Sequence, residues 1–304
     1  MNHQGKKTIV KYAVNLLVVV LSLAAALTLA EIAFRWYFDV PALPWCYRIN
    51  SLDFRGREPG LGKPADSKRI MLLGDSYTFG YGVPSEDIYA SLLEKRSREY
   101  SRPPVEVLNF SRLGWNTKAE TEFFFSRGVQ YDFDVLILSH TFNDIELKPI
   151  VVNNQQLFCS LTQMTMLHSL LYVFYQGKAA FENATTDYSQ TLTSLYKNKG
   201  SPEWKQMADC ILRLNRYCSE KRKRFVLFYF EIYCDNKSNM RLDIKKEMIR
   251  FADENKIPFV GIEPVPDCDL KEYHLYKYNA HPNNLGHRLA AEALMNYFQE
   301  TERQ

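Results

Sequence analysis

The sequence predicts a three-layer α/β/α domain, a parallel sheet with helices on both faces, behind one N-terminal transmembrane helix. Three observations predict it. Short apolar runs rich in β-branched and aromatic residues alternate with helical patterns from about residue 68 to the C-terminus, and strands that alternate with helices pair in parallel. Chemistry-bearing residues recur just past the ends of those runs, at the edge where open parallel sheets carry their sites. Tyr12 to Ala30, finally, is a run of nineteen residues without a charge.

Lys6, Lys7 and Lys11 precede that run. As a helix it would be about 28 Å long, close to a bilayer core of about 30 Å. Three lysines before it, against Glu31 and Arg35 after it, place residues 1–11 in the cytoplasm, residues 12–30 in the membrane and the rest outside the cytoplasm, in a periplasm or on the cell surface. A cleaved signal peptide competes, because Thr28-Leu29-Ala30 has small residues where a signal peptidase reads. The run exceeds the usual signal core, and apolar character resumes after Glu31 in "IAFRWYF". A retained anchor is therefore expected, with Trp36 and Tyr37 at the headgroups.

Residues 31–67 follow as a stalk or lead-in; the part after the anchor is rich in proline, glycine and charge. The domain, residues 68–304, then reads in order. Arg69 to Leu73 is a strand, Asp87 to Glu99 a helix, Val105 to Phe110 a strand, Thr117 to Val129 a helix and Val135 to Ser139 a strand. Pro202 to Lys221 is a helix, Phe225 to Ile232 a strand, Met240 to Asn255 a helix, Pro258 to Ile262 a strand and Asn283 to Gln299 the closing helix. Residues 147–200 break the rhythm and read as an insertion, either a lid or substrate wall over the strand ends or a surface excursion without a binding role.

Composition excludes several classes. At 46% hydrophobic and 24% charged the chain of 304 residues is an ordinary globular sequence with one main domain. A net charge of +3 with scattered basic residues does not indicate nucleic acid; the run Lys221 to Arg224 ends a helix, where cations suit the helix dipole. The six cysteines are Cys46, Cys159, Cys210, Cys218, Cys234 and Cys268. They read as buried small hydrophobes or, in an oxidising compartment, as one or two disulfides whose pairing spacing does not settle. No Cys-x-x-Cys or clustered histidine supports a metal, and no cofactor is expected.

Chemistry concentrates in "IMLLGDSYTFGYGV", Ile70 to Val83. A phosphate-cradling loop needs G-x-x-x-x-G-K-[ST] and a dinucleotide fingerprint needs G-x-G-x-x-G; neither is present. A plain turn fits Gly-Asp-Ser. A nucleophile loop fits if Ser76 has a base and an oxyanion site, and other strand ends offer both. "NFSRLGWNT" places the Gly114 N–H past the second strand, "LSHTFND" places the Asn143 amide past the third, and "YNAHPNNLGH" places His281 before the last helix as a general base.

Gly74-Asp75-Ser76, Gly114, Asn143-Asp144 and His281-Pro282-Asn283 with Gly286-His287 resemble the four blocks of the SGNH, or GDSL, hydrolases, and "NSLDFRGRE" resembles the lead-in of membrane-anchored bacterial members. The resemblance, over residues 68 to 299, implies a flavodoxin-like sheet and ester hydrolysis or acyl transfer through an acyl-serine. It implies Ser76 as nucleophile, His281 as base, and Ser76 N–H, Gly114 N–H and Asn143 as oxyanion donors. Two positions depart from it. The aspartate expected two or three residues before the histidine is replaced by Asn279 and Tyr278, so that a backbone carbonyl, Asp267, Asp269 or Glu272 would have to orient His281, or the enzyme would be slow. Thr141 stands where the third block begins with glycine.

His140 reads as a satisfied buried histidine and His287 as a packing residue; His168 and His274 have no assigned place. The expected function is an extracytoplasmic serine esterase acting on an acylated carbohydrate or lipid. An O-acyltransferase for a cell-surface glycan, and a catalytically degenerate binding or assembly protein of the same fold, are the alternatives.

Overall fold

A computed structural model describes residues 3–38, 47, 49–100, 103–149, 188–234, 240–276 and 279–303. The first element, α1 (His3–Phe38), contains an apolar span, Lys11–Ala33, of mean hydropathy 2.4 with 6% of its strongest window buried. By length and composition it can cross a membrane.

The domain is a five-stranded sheet, β1 (Lys68–Gly74), β2 (Val105–Ser111), β3 (Val135–His140), β4 (Arg224–Tyr229) and β5 (Phe259–Gly261), in the order β2-β1-β3-β4-β5. All its pairings are parallel. This is the doubly wound order in which the chain reverses direction between β1 and β3. β3 is buried at all six positions and β1 at six of seven, the pattern of strands covered on both faces.

Alternation of side chains divides the core in two. Met71, Leu73, Leu108, Phe110, Leu136, Leu138, Leu227 and Tyr229 face one layer of helices. That layer is α4 (Thr117–Ser126), α5 (Tyr188–Lys197), α6 (Pro202–Glu220) and α7 (Met240–Glu254). Ile70, Leu72, Val135, Ile137, Val226, Phe228 and Val260 face α3 (Tyr89–Tyr100) and α8 (Asn284–Glu302). The three-layer α/β/α arrangement expected from the sequence is present.

Helix starts follow capping chemistry. The Ser201 side chain accepts from Trp204 N–H with Pro202 in the first turn of α6, and Asn116 accepts from Ala119 N–H at the start of α4. Three short elements went unread in the sequence: α2 (Ser76–Phe79), and β6 (His274–Tyr276) with β7 (Asn279–Pro282), which form an antiparallel hairpin. Of the insertion, α5 lies against α6 and α7, while residues 150–187, and with them the expected lid and His168, lie outside the described residues.

The lead-in is bound to the domain over residues 49–67. Phe54, 2% exposed, packs edge-on to Phe110, Trp115 and Phe123, and the buried Arg69 guanidinium donates to the carbonyls of Gly60, Leu61 and Gly62. Cys234 and Cys268 form a disulfide. Cys210 and Cys218 are free and buried on α6; Cys46 and Cys159 lie outside the described residues.

Candidate active site

The chain reversal between β1 and β3 leaves a crevice at the strand C-termini, and the sequence-expected residues gather there. Gly74 ends β1 with its backbone against α2: a Cβ there would collide with the Thr78 side chain. Asp75 then caps α2, its carboxylate accepting from Tyr77 N–H at 2.8 Å. Ser76 is the first residue of that helix. The same loop ends at Gly80 and Gly82, both at positive φ, and a Cβ on Gly82 would strike Leu275, next to His274 on the hairpin. Close approach at both ends explains the glycines.

His281 reaches Ser76 from β7. Its Nε2 lies 2.9 Å from Ser76 Oγ, within hydrogen-bond reach across 205 residues of sequence. Asn283 holds this geometry from behind. Its Oδ1 accepts from Leu285 and Gly286 N–H to cap α8, and its Nδ2 donates to the carbonyls of Glu272 and His274. The Tyr77 and Tyr81 rings pack on the imidazole at 5.4 and 5.2 Å between centroids. Burial, and then the neighbouring His274, lower the His281 pKa to about 4. At neutral pH its imidazole is uncharged and its Nε2 can accept the serine proton.

Gly114 lies at φ 74° in the turn after β2, closed by Trp115 N–H donating to the Arg112 carbonyl, and Arg112 N–H donates to the Gly74 carbonyl. The turn is thereby tied to the strand that delivers Ser76. Asn143 follows β3. Thr141 Oγ1 lies 2.8 Å from Asn143 Oδ1 and 3.2 Å from Asp75 Oδ2. The hydroxyl has one proton to give; donated to the nearer oxygen, Asn143 Oδ1, it leaves Nδ2 as the outward donor of the amide. The threonine that departs from the family pattern thus links the serine loop to the Asn143 loop.

Glu231, just past β4, was not singled out in the sequence. Its Oε1 accepts from Phe142 N–H at 3.0 Å, and its Oε2 lies 2.8 Å from Arg241 Nε. Burial raises its pKa to about 7. One signal was available: in "FVLFYFEIY" it is the single charge in an apolar run. Behind the site Asp75, Glu120 and Asp144 are also buried. Burial raises the Asp75 pKa to about 6; burial, and then repulsion from neighbouring carboxylates, raise those of Glu120 and Asp144 well above their ordinary values.

His140 and His287 fall where the sequence reading put them. His140 is fully buried, with Nδ1 3.2 Å from Thr117 Oγ1 and Nε2 2.7 Å from Tyr196 OH. His287 accepts at Nδ1 from Tyr89 N–H inside the α3–α8 contact. Of the groups proposed to orient His281, Asp269 caps the turn Leu270–Tyr273 by accepting from Lys271 N–H. Tyr278 and the side chain of Asn279 lie outside the described residues.

No protein-family model matches this chain, and no curated protein does. Among solved structures it is similar to the lipase/acylhydrolase from Enterococcus faecalis, at 14% identity and TM-score 0.47 over 77% of this chain and 96% of that one. It is similar to a member of the lipolytic protein G-D-S-L family from Veillonella parvula, at 16% and 0.43 over 76% and 98%, and to the psychrotrophic esterase EstA from Pseudoalteromonas sp., at 11% and 0.45 over 78% and 100%. Each likeness is one of fold.

Proposed function

We propose that this chain is a membrane-anchored serine esterase whose domain works outside the cytoplasm on acylated carbohydrate or lipid. The observation that carries the reading is the 2.9 Å contact between Ser76 Oγ and the uncharged His281 Nε2 at the chain-reversal crevice. The ties of the Gly114 and Asn143 loops to the serine loop, the Cys234–Cys268 disulfide, a bond that persists in oxidising compartments, and the apolar α1 support it.

In this mechanism Ser76 Oγ attacks the acyl carbonyl carbon and its proton passes to His281 Nε2. The carbonyl oxygen becomes an oxyanion that accepts from Ser76 N–H, Gly114 N–H and Asn143 Nδ2. Collapse breaks the ester C–O bond, the imidazolium returns its proton to the leaving alkoxide, and an acyl-serine remains. Water then repeats the sequence with His281 as base, releasing the carboxylic acid and restoring the serine.

Turnover of p-nitrophenyl acetate by the wild type, Ser76→Ala and Asn279→Asp tests the reading. The account expects burst release of nitrophenol in the wild type, its loss in Ser76→Ala, and a faster enzyme when a carboxylate is restored at 279. A folded wild type no faster than Ser76→Ala would favour a binding role for the fold.

A further inference from the structure

The lead-in does more than join α1 to the domain: it is fastened to the loop that carries the nucleophile. Tyr47, 8% exposed, accepts through its hydroxyl from Gly82 N–H at 2.6 Å. Arg55, 2% exposed, donates from Nη1 to the carbonyls of Phe79 and Gly80 and from Nη2 to the Val83 carbonyl and Ser85 Oγ. Its guanidinium lies 4.5 Å from the Tyr47 ring centroid, and Tyr47 meets Phe79 edge-on at 5.3 Å. A buried guanidinium that must satisfy its donors on backbone carbonyls is costly to detach. Between the two fastened residues, Ile49 bridges Arg55 and Asn50 Oδ1 accepts from Leu52 and Phe54 N–H, so the chain doubles back on itself. Gly82 adjoins Tyr81, whose ring packs on His281.

Chain length turns this fastening into an orientation. Nine residue steps separate Phe38, the end of α1, from Tyr47. Fully extended, nine steps reach about 32 Å at most. A compact domain of this size is roughly 45 Å across. With α1 in a bilayer and Trp36 at its interface, the edge bearing Tyr47, Gly82 and Ser76 cannot be carried to the far pole of the domain from the membrane.

We propose that the lead-in holds the catalytic edge toward the membrane, and that the acyl ester cleaved by Ser76 is borne on a membrane amphiphile. The proposal rests on the esterase reading and on a retained α1, and it names the substrate's location and class. The anchor then raises the local concentration of site over substrate as a tether does.

The test uses the full chain in vesicles of phosphatidylethanolamine and phosphatidylglycerol, with p-nitrophenyl palmitate dissolved in the bilayer and p-nitrophenyl acetate in the water. The variant carries twenty glycine and serine residues inserted after Val40, outside every contact described above. Lengthening the tether from nine to twenty-nine steps widens its spread normal to the membrane, and so lowers the concentration of the site at the membrane plane, about twofold on a square-root law. Expected is a fall of about that size in palmitate turnover with acetate turnover unchanged, which also shows that the variant is folded. Equal palmitate turnover on both tethers, or a wild type that cleaves acetate and ignores the bilayer ester, overturns the proposal while leaving the esterase reading intact. Absence of turnover in both arms removes the esterase reading, and this proposal with it.

Discussion

Thr141 shows how a residue outside the recognised set acts through one inside it. Its hydroxyl orients the Asn143 amide while touching Asp75, so Thr141→Val should lower kcat for p-nitrophenyl acetate about tenfold or more with little change in KM, a fraction of what losing a whole oxyanion donor costs. Thr141→Ser should keep most of the rate; an unaffected Thr141→Val would remove the positioning role. His281 carries a second expectation. Its pKa is lowered to about 4, so the working neutral form persists as pH falls and is lost only near that value. The acid limb of kcat/KM should therefore lie well below the usual histidine range near 6.5, and a midpoint between 6.5 and 7 would contradict it. Ser76, Gly114 and Asn143 were legible because each follows a strand with little between, and His281 because it stands just before the closing helix. Thr141 and Glu231 were not, because their work is contact with a neighbouring loop, Thr141 with Asp75 and Glu231 with Phe142 N–H, which spacing does not encode.

At the scale of elements, the long ones were legible and the short ones were not. The helices announce themselves through caps such as Ser201-Pro202 and Asn116, and the buried strands through unbroken apolar runs. β6 and β7, three and four residues long, have no room for a period, and α2 is one turn. These are the elements that carry His281 and Ser76. The junction of β1 with α2 depends on a missing side chain: Gly74→Ala would press a Cβ into Thr78, which is fully buried and bonded to Tyr89. Overpacking there should destabilise the domain by about 1–3 kcal/mol, read from the denaturation midpoint with activity falling in parallel. A variant as stable and active as wild type would mean that α2 can shift away freely.

Over the whole molecule, buried titratable groups set the dependence of stability on pH. His140 and His287, lowered to about 3, and His281, lowered to about 4, contribute stability that is present above about pH 6.5 and lost as pH falls through their folded values. Asp75 and Glu231, raised to about 6 and about 7, with Glu120 and Asp144 raised beyond the carboxylate range, contribute stability present below about pH 4 and lost as pH rises through theirs. The two sets oppose each other between roughly pH 4.5 and 6.5. Denaturation midpoints should be nearly level in that window and fall on both sides of it, whereas stability still rising from pH 7 to 8 would show that the buried acids do not dominate. The central claim, that Ser76 is a nucleophile activated by His281, is tested most directly by treating the full chain with a fluorophosphonate and mapping the adduct. The account predicts a single phosphonylated serine, Ser76, formed slowly or not at all in His281→Ala; an adduct on another serine, or none on a folded wild type, would contradict it.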